Sequence, residues 1–234
     1  MAKKTLLKLK PVKGHMYLEV YATFNPVKGR CSHRCPYCYL MKMSSKQQPP
    51  IHIDEDAYRV GLESGHTIMI CSGCDLFAED IPDELIKRAL DYAEKFDNIY
   101  WLQTKNPVRM LDFVDHPIMK KAVLLTTIET NRDYKEFMGK APSVVARADA
   151  MAKLHELGLR TMVTVEPMMA FDRTALVGLI RKCSPEQVNL GVNTNTHISL
   201  PEPEKVDVLK LINELRGFTN VVVKDNLKTW LSKH

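Results

Sequence analysis

The sequence lacks long apolar runs, internal repeats and low-complexity tracts. None of its hydrophobic stretches approaches the roughly 20 residues that a membrane-spanning helix needs. The start, MAKKTLLKLKPVKG, has neither the apolar core nor the cleavage site of a secretory signal. We therefore expect a cytosolic protein without a membrane partner. Because no long linker divides the chain, we predict one domain over residues 1–234.

Cysteine is also scarce, with six in the chain, yet three of them lie within eight positions as Cys31, Cys35 and Cys38. Disulfides are rare in the reducing cytosol, and three cysteines cannot all be bridged to one another. Metal ligation or redox chemistry is the favoured interpretation.

Short β-rich runs alternate with longer amphipathic stretches along the chain. The predicted strands span residues 17–24, 66–71, 98–104, 122–128, 160–167, 187–192 and 220–224, and the predicted helices span residues 81–96, 141–158, 172–184 and 202–218. A strand and helix repeated about six times predicts an α/β fold of parallel strands, in a doubly wound sheet or a barrel. In both, functional residues gather at the carboxyl ends of the strands, and the cysteines follow the first strand.

The spacing CxxxCxxC supplies three thiolates without a fourth partner at a conventional distance. Structural zinc sites usually have four protein ligands, and ferredoxin-type clusters have four cysteines. His33 lies between the cysteines, where we expect a loop residue that points outward. Three thiolates would leave one iron of a cluster open.

Together with Tyr37 before the last cysteine, Cys31, Cys35 and Cys38 resemble the CxxxCxΦC hallmark of the radical S-adenosylmethionine (SAM) superfamily. The resemblance implies a partial TIM-type (β/α)6 barrel in which the three thiolates hold a [4Fe–4S] cluster and SAM binds the fourth iron. It also implies reductive cleavage of SAM to a 5′-deoxyadenosyl radical, which abstracts hydrogen from a substrate. An electron donor such as flavodoxin or ferredoxin would be a partner.

Other segments match the superfamily pattern at successive strand ends. The resemblance implies that Ser72 and Gly73 receive the SAM amino group and that Glu129 faces the SAM ribose or methionine end. Arg147 would pair with a carboxylate; the alternative is an exposed helix arginine. The resemblance also places Tyr37 beside the adenine and Asp75 in the segment that receives the SAM amino group. Gln103, Thr104 and Asn193 are added to the cofactor site because strand ends of a barrel project toward one face.

Two residues are candidates for catalysis. Lys105 ends the third predicted strand, where it would neutralise a SAM carboxylate or a substrate phosphate; the alternative is a solvated loop lysine. Glu166 ends the fifth strand between apolar segments, where a carboxylate without a partner is costly. A second pair, Cys71 and Cys74, has the spacing CxxC, and we predict that Cys71 is buried as the last core residue of its strand.

The segments DLFAEDIPDELI, WLQTKNPVRM and VTVEPM are together similar to an uncharacterised, often phage-associated family of radical-SAM-like proteins. A weaker likeness links the Thr-Lys segment to the spore photoproduct lyase group, which repairs a thymine dimer. Both likenesses favour a nucleic acid or nucleotide substrate, although a small metabolite or a peptide fits the motifs equally well.

The charge balance agrees with a polyanion but does not require one. The net charge is +5, and the basic N-terminal segment 1–14 carries the lysines Lys3, Lys4, Lys8, Lys10 and Lys13. Two alternatives stay open. One is a zinc-binding nucleic-acid module that adds His33 or a cysteine of the second pair to the three cysteines. The other is a catalytically inactive iron–sulfur sensor or partner protein.

Overall fold

A computed structural model of the protein describes residues 6–43 and 48–233. Its main sheet has seven parallel strands: β1 Ala22–Phe24, β2 Thr67–Ile70, β3 Ile99–Thr104, β4 Ala122–Thr127, β5 Arg160–Val165, β6 Gln187–Leu190 and β7 Asn220–Val223. The strands are neighbours in chain order, from β1 at one edge to β7 at the other. A doubly wound sheet reverses its order at a switch point. The sequential order is therefore that of a partial (β/α) barrel, which confirms the predicted fold class.

Helices flank the sheet on the outside of the barrel. Those of nine residues or more in the described part of the chain are α1 Asp83–Glu94, α2 Val144–Glu156, α3 Arg173–Lys182, α4 Lys205–Arg216 and α5 Asp225–Lys233. The first four agree with the predicted helices to within three residues at each end, whereas α5 was not predicted. No described helix has the length and apolar character needed to cross a bilayer.

Shorter elements complete the fold. A one-turn helix covers Lys135–Met138, 3-10 helices cover Tyr39–Lys42, Ala57–Arg59, Pro107–Phe113 and Pro117–Lys121, and two-residue strands Val27–Lys28 and His52–Ile53 pair antiparallel. The 3-10 helices that join β3 to β4 stand where a regular crossover helix is expected. The prolines at their first positions suit such turns, because proline fixes φ near the helical value.

Strand residues alternate between two apolar layers. Ile70, Leu102 and Leu124 belong to the large core beneath the helices, whereas Met69 and Trp101 belong to a smaller cluster on the concave face. This alternation follows from the two-residue period of a strand. The concave face is therefore an apolar surface that another part of the chain has to cover.

Residues before β1 cover that concave face. The predicted first strand began at residue 17, but the structure starts β1 at Ala22, and the preceding turn inserts Tyr17 and Val20 into the concave cluster. The Tyr17 hydroxyl donates to Gln103 Oε1 at 3.1 Å, and its ring meets that of Trp101 at 5.1 Å. The N-terminal segment is thus part of the core from Leu9 onward, since that side chain is also buried.

The lysines of this segment stay on the surface. Lys8, Lys10 and Lys13 are exposed, while Lys3 and Lys4 lie outside the described residues. Leu9, in contrast, is buried. The segment therefore covers the barrel and at the same time presents positive charge beside it.

We expect Tyr17→Ala to lower the free energy of unfolding by about 3–5 kcal/mol, as buried aromatic-to-alanine changes do. Leu18→Ala is the matched control, because the neighbouring side chain is 92% exposed and its loss should cost no more than about 0.5 kcal/mol. Urea denaturation followed by circular dichroism measures both. Equal stability of the two variants would contradict the role given to the segment.

Candidate active site

A cavity of about 590 Å³ opens at the carboxyl ends of β1 to β6. Residues that follow β1, β2, β3, β5 and β6 line it, together with Thr127 at the end of β4 and residues 12–16 of the N-terminal segment. Most of the predicted site residues line the cavity: Cys31, Cys35, Tyr37, Cys38, Ser72, Asp75, Gln103, Thr104, Lys105, Glu166 and Asn193. Three do not, namely Gly73, Glu129 and Arg147.

The three cysteines lie on one loop that follows β1 and forms one wall of the cavity. The Cys38 amide donates to the Cys35 carbonyl at 2.9 Å, which closes a turn between the last two cysteines. Cys35 is buried, and its Sγ lies 3.5 Å from the Met138 carbonyl. The loop therefore presents its thiols to the cavity while its backbone rests on residues after β4.

The thiol environment fits an iron–sulfur cluster. Burial raises the pKa of Cys31 to about 12 and raises the pKa of Cys35 and Cys38 as well. A bound cationic metal centre is what stabilises such buried thiolates. In residues 6–43 and 48–233 no three Cys, His, Asp or Glu side chains converge on a single ion. A four-iron cluster offers a separate iron to each thiolate, so three thiols that face one cavity fit such a cluster.

His33 does not point outward, and that expectation is wrong. Its side chain is 4% exposed, and its Nε2 lies 2.9 Å from Asp75 Oδ2. The same oxygen accepts the Lys105 amide at 2.9 Å, and Oδ1 accepts the Phe77 amide at 3.0 Å. Burial alone would raise the pKa of Asp75, but the hydrogen bond and charge of His33 outweigh it and hold this pKa low. Asp75 therefore joins the loops that follow β1, β2 and β3.

A buried ionic network stands behind the cavity wall, and Glu129 is its centre. Arg147 Nη1 donates to Glu129 Oε2 at 2.8 Å and to the Thr127 carbonyl at 2.9 Å. The Lys105 ammonium and the Tyr37 hydroxyl both contact Glu129 Oε1. Glu129 and Arg147 are fully buried, so the alternative of an exposed helix arginine is wrong. Neither lines the cavity, but Glu129 contacts Tyr37 and Lys105, which do.

We expect Glu129→Gln to cost about 3 kcal/mol of stability near neutral pH, because it leaves two cations without their carboxylate. Burial favours a raised pKa for Glu129, but Lys105 and Arg147 hold it below the ordinary value of 4.5. A lowered pKa stabilises the fold above that value, and the contribution is lost as the pH falls through the folded-state pKa.

The measurement is urea denaturation of both proteins from about pH 7 down to about pH 2.5. The difference between wild type and variant should be full at neutral pH and should shrink on the acid side. Glu156→Gln, on the exposed face of α2, should show no difference at any pH. A gap for Glu129→Gln that is constant with pH would contradict the assignment.

Glu166 lies on the opposite wall of the cavity and has partners that the sequence reading missed. Lys224 Nζ lies 2.5 Å from Glu166 Oε2, and Asn226 Nδ2 donates to Oε1 at 2.7 Å. Gly191 leaves room for this carboxylate, since a Cβ there would stand 2.5 Å from Glu166 Oε1. Lys224 follows β7 as Glu166 follows β5, so the strand-end rule applied to the last strand would have found it.

Further polar residues shape the loops around the cavity. Asn25 Oδ1 accepts both the amide and the hydroxyl of Ser72, at 2.8 and 3.1 Å. Gly73 lies in the same turn with open space around it. Asn193 Nδ2 donates to the Asn195 and Ile198 carbonyls at 3.1 and 2.9 Å, which folds the loop after β6.

Two more polar side chains near the end of β3 bond to the protein itself. The Gln103 amide nitrogen lies 3.4 Å from Thr127 Oγ1, and Thr104 Oγ1 accepts the Asn106 amide at 2.8 Å. These bonds fix the direction of the strand end beside Lys105. Contacts of Gln103 and Thr104 with a cofactor stay predictions.

The second cysteine pair also borders the cavity. Cys71 is buried as predicted, and it adopts a left-handed backbone conformation with φ of 58°, which is uncommon for residues other than glycine. Cys74 is buried three residues later, and burial raises the pKa of both thiols. The turn after β2 thus carries two neutral thiols beside the cysteine loop.

Similarity to known proteins is visible in structure and not in sequence. No protein-family model matches the chain, and no curated protein sequence matches it. A spore photoproduct lyase variant with bound AdoMet, which is SAM, and dinucleoside spore photoproduct superposes with a TM-score of 0.65 at 14% identity, covering 87% of this chain and 76% of that chain. The fold is that of spore photoproduct lyase.

A second variant of that lyase, with phenylalanine in place of a tyrosine, gives a TM-score of 0.65 at 14% identity and covers 91% of this chain and 80% of the other. Such identities establish a shared fold alone. The predicted likeness to the spore photoproduct lyase group is therefore confirmed at the level of the fold. Kinship with the phage-associated family stays a prediction.

Proposed function

We propose that the protein is a radical SAM enzyme that holds a [4Fe–4S] cluster on Cys31, Cys35 and Cys38. One observation carries the proposal: the three cysteines occupy one loop that lines a cavity at the strand ends of this fold. A structural comparison also supports the proposal, because spore photoproduct lyase, a protein of the same fold, has been solved with bound AdoMet.

The bound cluster would supply the electron that cleaves SAM to methionine and a 5′-deoxyadenosyl radical, and flavodoxin or ferredoxin would be its electron donor. The chain's own residues bind and orient the reactants. Ser72, Gln103 and Asn193 offer polar groups along the cavity. Tyr37 stands beside the last cysteine, with the Lys105 ammonium 4.4 Å from its ring centre.

Lys105 and Glu166 give the cavity charges of opposite sign on two walls. The Lys105 side chain is 17% exposed and is held by Glu129 behind it, which places its ammonium where it can pair with an incoming carboxylate or phosphate. Glu166 is held by Lys224 and Asn226. It is positioned to accept a hydrogen bond from a substrate N–H or O–H group.

Anaerobic reconstitution with iron and sulfide tests the proposal. The wild type should bind about four irons per chain, and it should form 5′-deoxyadenosine when SAM and dithionite are added. Cys35→Ala should lose both properties. Cys183→Ala, which removes a buried cysteine outside the cavity, should keep both.

Two outcomes would point to the alternatives. A colourless protein that retains stoichiometric zinc in air would support the zinc-binding module. An intact cluster without any cleavage of SAM would support the sensor or partner protein.

We further propose a nucleic acid or nucleotide as the substrate class. Lys13 lines the cavity together with Arg34, and the exposed Lys8 and Lys10 continue the same positive segment. Positive groups beside a cavity that also offers Tyr39 suit a strand whose phosphates are neutralised while a base stacks on the ring.

The triple variant Lys8→Glu, Lys10→Glu, Lys13→Glu tests the substrate class. Binding of a fluorescent single-stranded oligonucleotide should weaken. The magnitude of the negative slope of log K against log salt should decrease by about 2 for three lost phosphate contacts. The matched control reverses the exposed helix lysines Lys87, Lys153 and Lys210, which should leave the slope unchanged. Equal slopes in both triple variants would remove the support for nucleic acid.

A further inference from the structure

The peptide between His33 and Arg34 is in direct backbone contact with the segment after β4. The Lys140 amide donates to the His33 carbonyl at 2.7 Å, and Cys35 Sγ lies 3.5 Å from the Met138 carbonyl. Side chains of Phe137 and Met138 pack against the apolar cluster that contains Cys35 and Tyr37. We call the segment of residues 134–141 the loop platform.

Gly139 is the point of closest approach between the loop platform and the cysteine loop. Its φ of 59° and ψ of −133° lie in a region that is essentially restricted to glycine. A Cβ on Gly139 would stand 2.2 Å from the His33 carbonyl oxygen and 2.9 Å from the Arg34 carbonyl carbon. Because non-bonded heavy atoms settle about 3.5 Å apart, the two backbones would have to separate by more than about 1 Å.

Neither side of this contact has freedom to give way. On one side His33 is bonded through its ring to Asp75, and Arg34 is in the left-handed region with φ of 50°. The atoms that a Cβ on Gly139 would meet are backbone atoms of His33 and Arg34, which no side-chain rotation can move aside. The displaced peptide lies between Cys31 and Cys35, so its movement would change the distance between two of the three thiols.

We propose that Gly139 is a positioning residue for the iron–sulfur cluster: it lets the loop platform hold the His33–Arg34 peptide so that Cys31 and Cys35 stand at ligand distance. This inference rests on the proposed function. It assigns to a residue without a metal-binding group the task of fixing two ligands, as partners of metal ligands do elsewhere.

Gly139→Ala tests the inference by the stability of the cluster. In reconstituted protein the rate of iron loss to a chelator, followed by the visible absorption of the cluster, should rise about 10- to 100-fold. Gly158→Ala is the matched control, because Gly158 has a similar positive φ of 79° with no atom within 4 Å of its Cβ position. It replaces a glycine of positive φ without the contact, and its iron loss should stay at the wild-type rate.

Thermal unfolding of the apo-proteins separates positioning from folding. Gly139→Ala, which has the clash, should unfold at a lower temperature than Gly158→Ala, so iron loss is compared at a temperature at which both apo-proteins are folded, and there only Gly139→Ala should lose iron quickly. If Gly139→Ala does not fold, Phe137→Ala takes its place, because it weakens the loop platform without a clash and should also increase the rate of iron loss. The inference is overturned if the variant that folds loses iron no faster than the wild type. A wild type that takes up no iron overturns the proposed function instead.

Discussion

The hydrogen bonds of Asp75 are the constraint on which the site depends. One carboxylate accepts from the His33 ring, the Lys105 amide and the Phe77 amide, so it joins three strand ends that are far apart in sequence. Parallel strands bring their carboxyl ends to one edge, but they do not fix the loops that follow. Because Asp75 accepts hydrogen bonds on both oxygens, the loop with the cysteines, the turn after β2 and the end of β3 keep one arrangement.

Buried charge serves a second purpose around this centre. Glu129, which is fully buried, balances Arg147 and Lys105, and Glu166 balances Lys224 on the other wall. Such pairs contribute little net stability compared with apolar packing, and breaking one is costly. Their value here is geometric, since each carboxylate fixes where an ammonium group points. The cavity therefore has directed charges on two walls and apolar cysteine and tyrosine side chains on a third.

Much of this could be predicted from the sequence. Strands and helices followed from periodicity, because buried parallel strands have apolar runs and helices have amphipathic ones, and the strand-end rule brought Lys105 and Glu166 to one cavity. Partners across the chain could not be predicted in the same way. Nothing near His33 shows that its ring meets Asp75, and nothing near Glu129 shows that Arg147 is buried against it. Tyr17 looked like strand because its alternating neighbours fit that period, yet the concave face needed a cover and the tertiary contact prevailed.

The insertion of Tyr17 bears on the order in which the molecule assembles. Its ring lies 4.1 Å from Lys224 Nζ, and nearby Gln187 donates to Glu19 across 168 positions of sequence. Tyr17 can thus meet β3 early, but these two contacts can form only after β6 and the residue that follows β7 have been made. Contacts between residues so far apart in sequence form late, because the chain loses the entropy of loop closure before the contacts contribute any stabilising free energy. Until β7 has been made, the segment that covers the concave apolar face is therefore held by only part of its contacts, and protection of that face from aggregation matters most in this period.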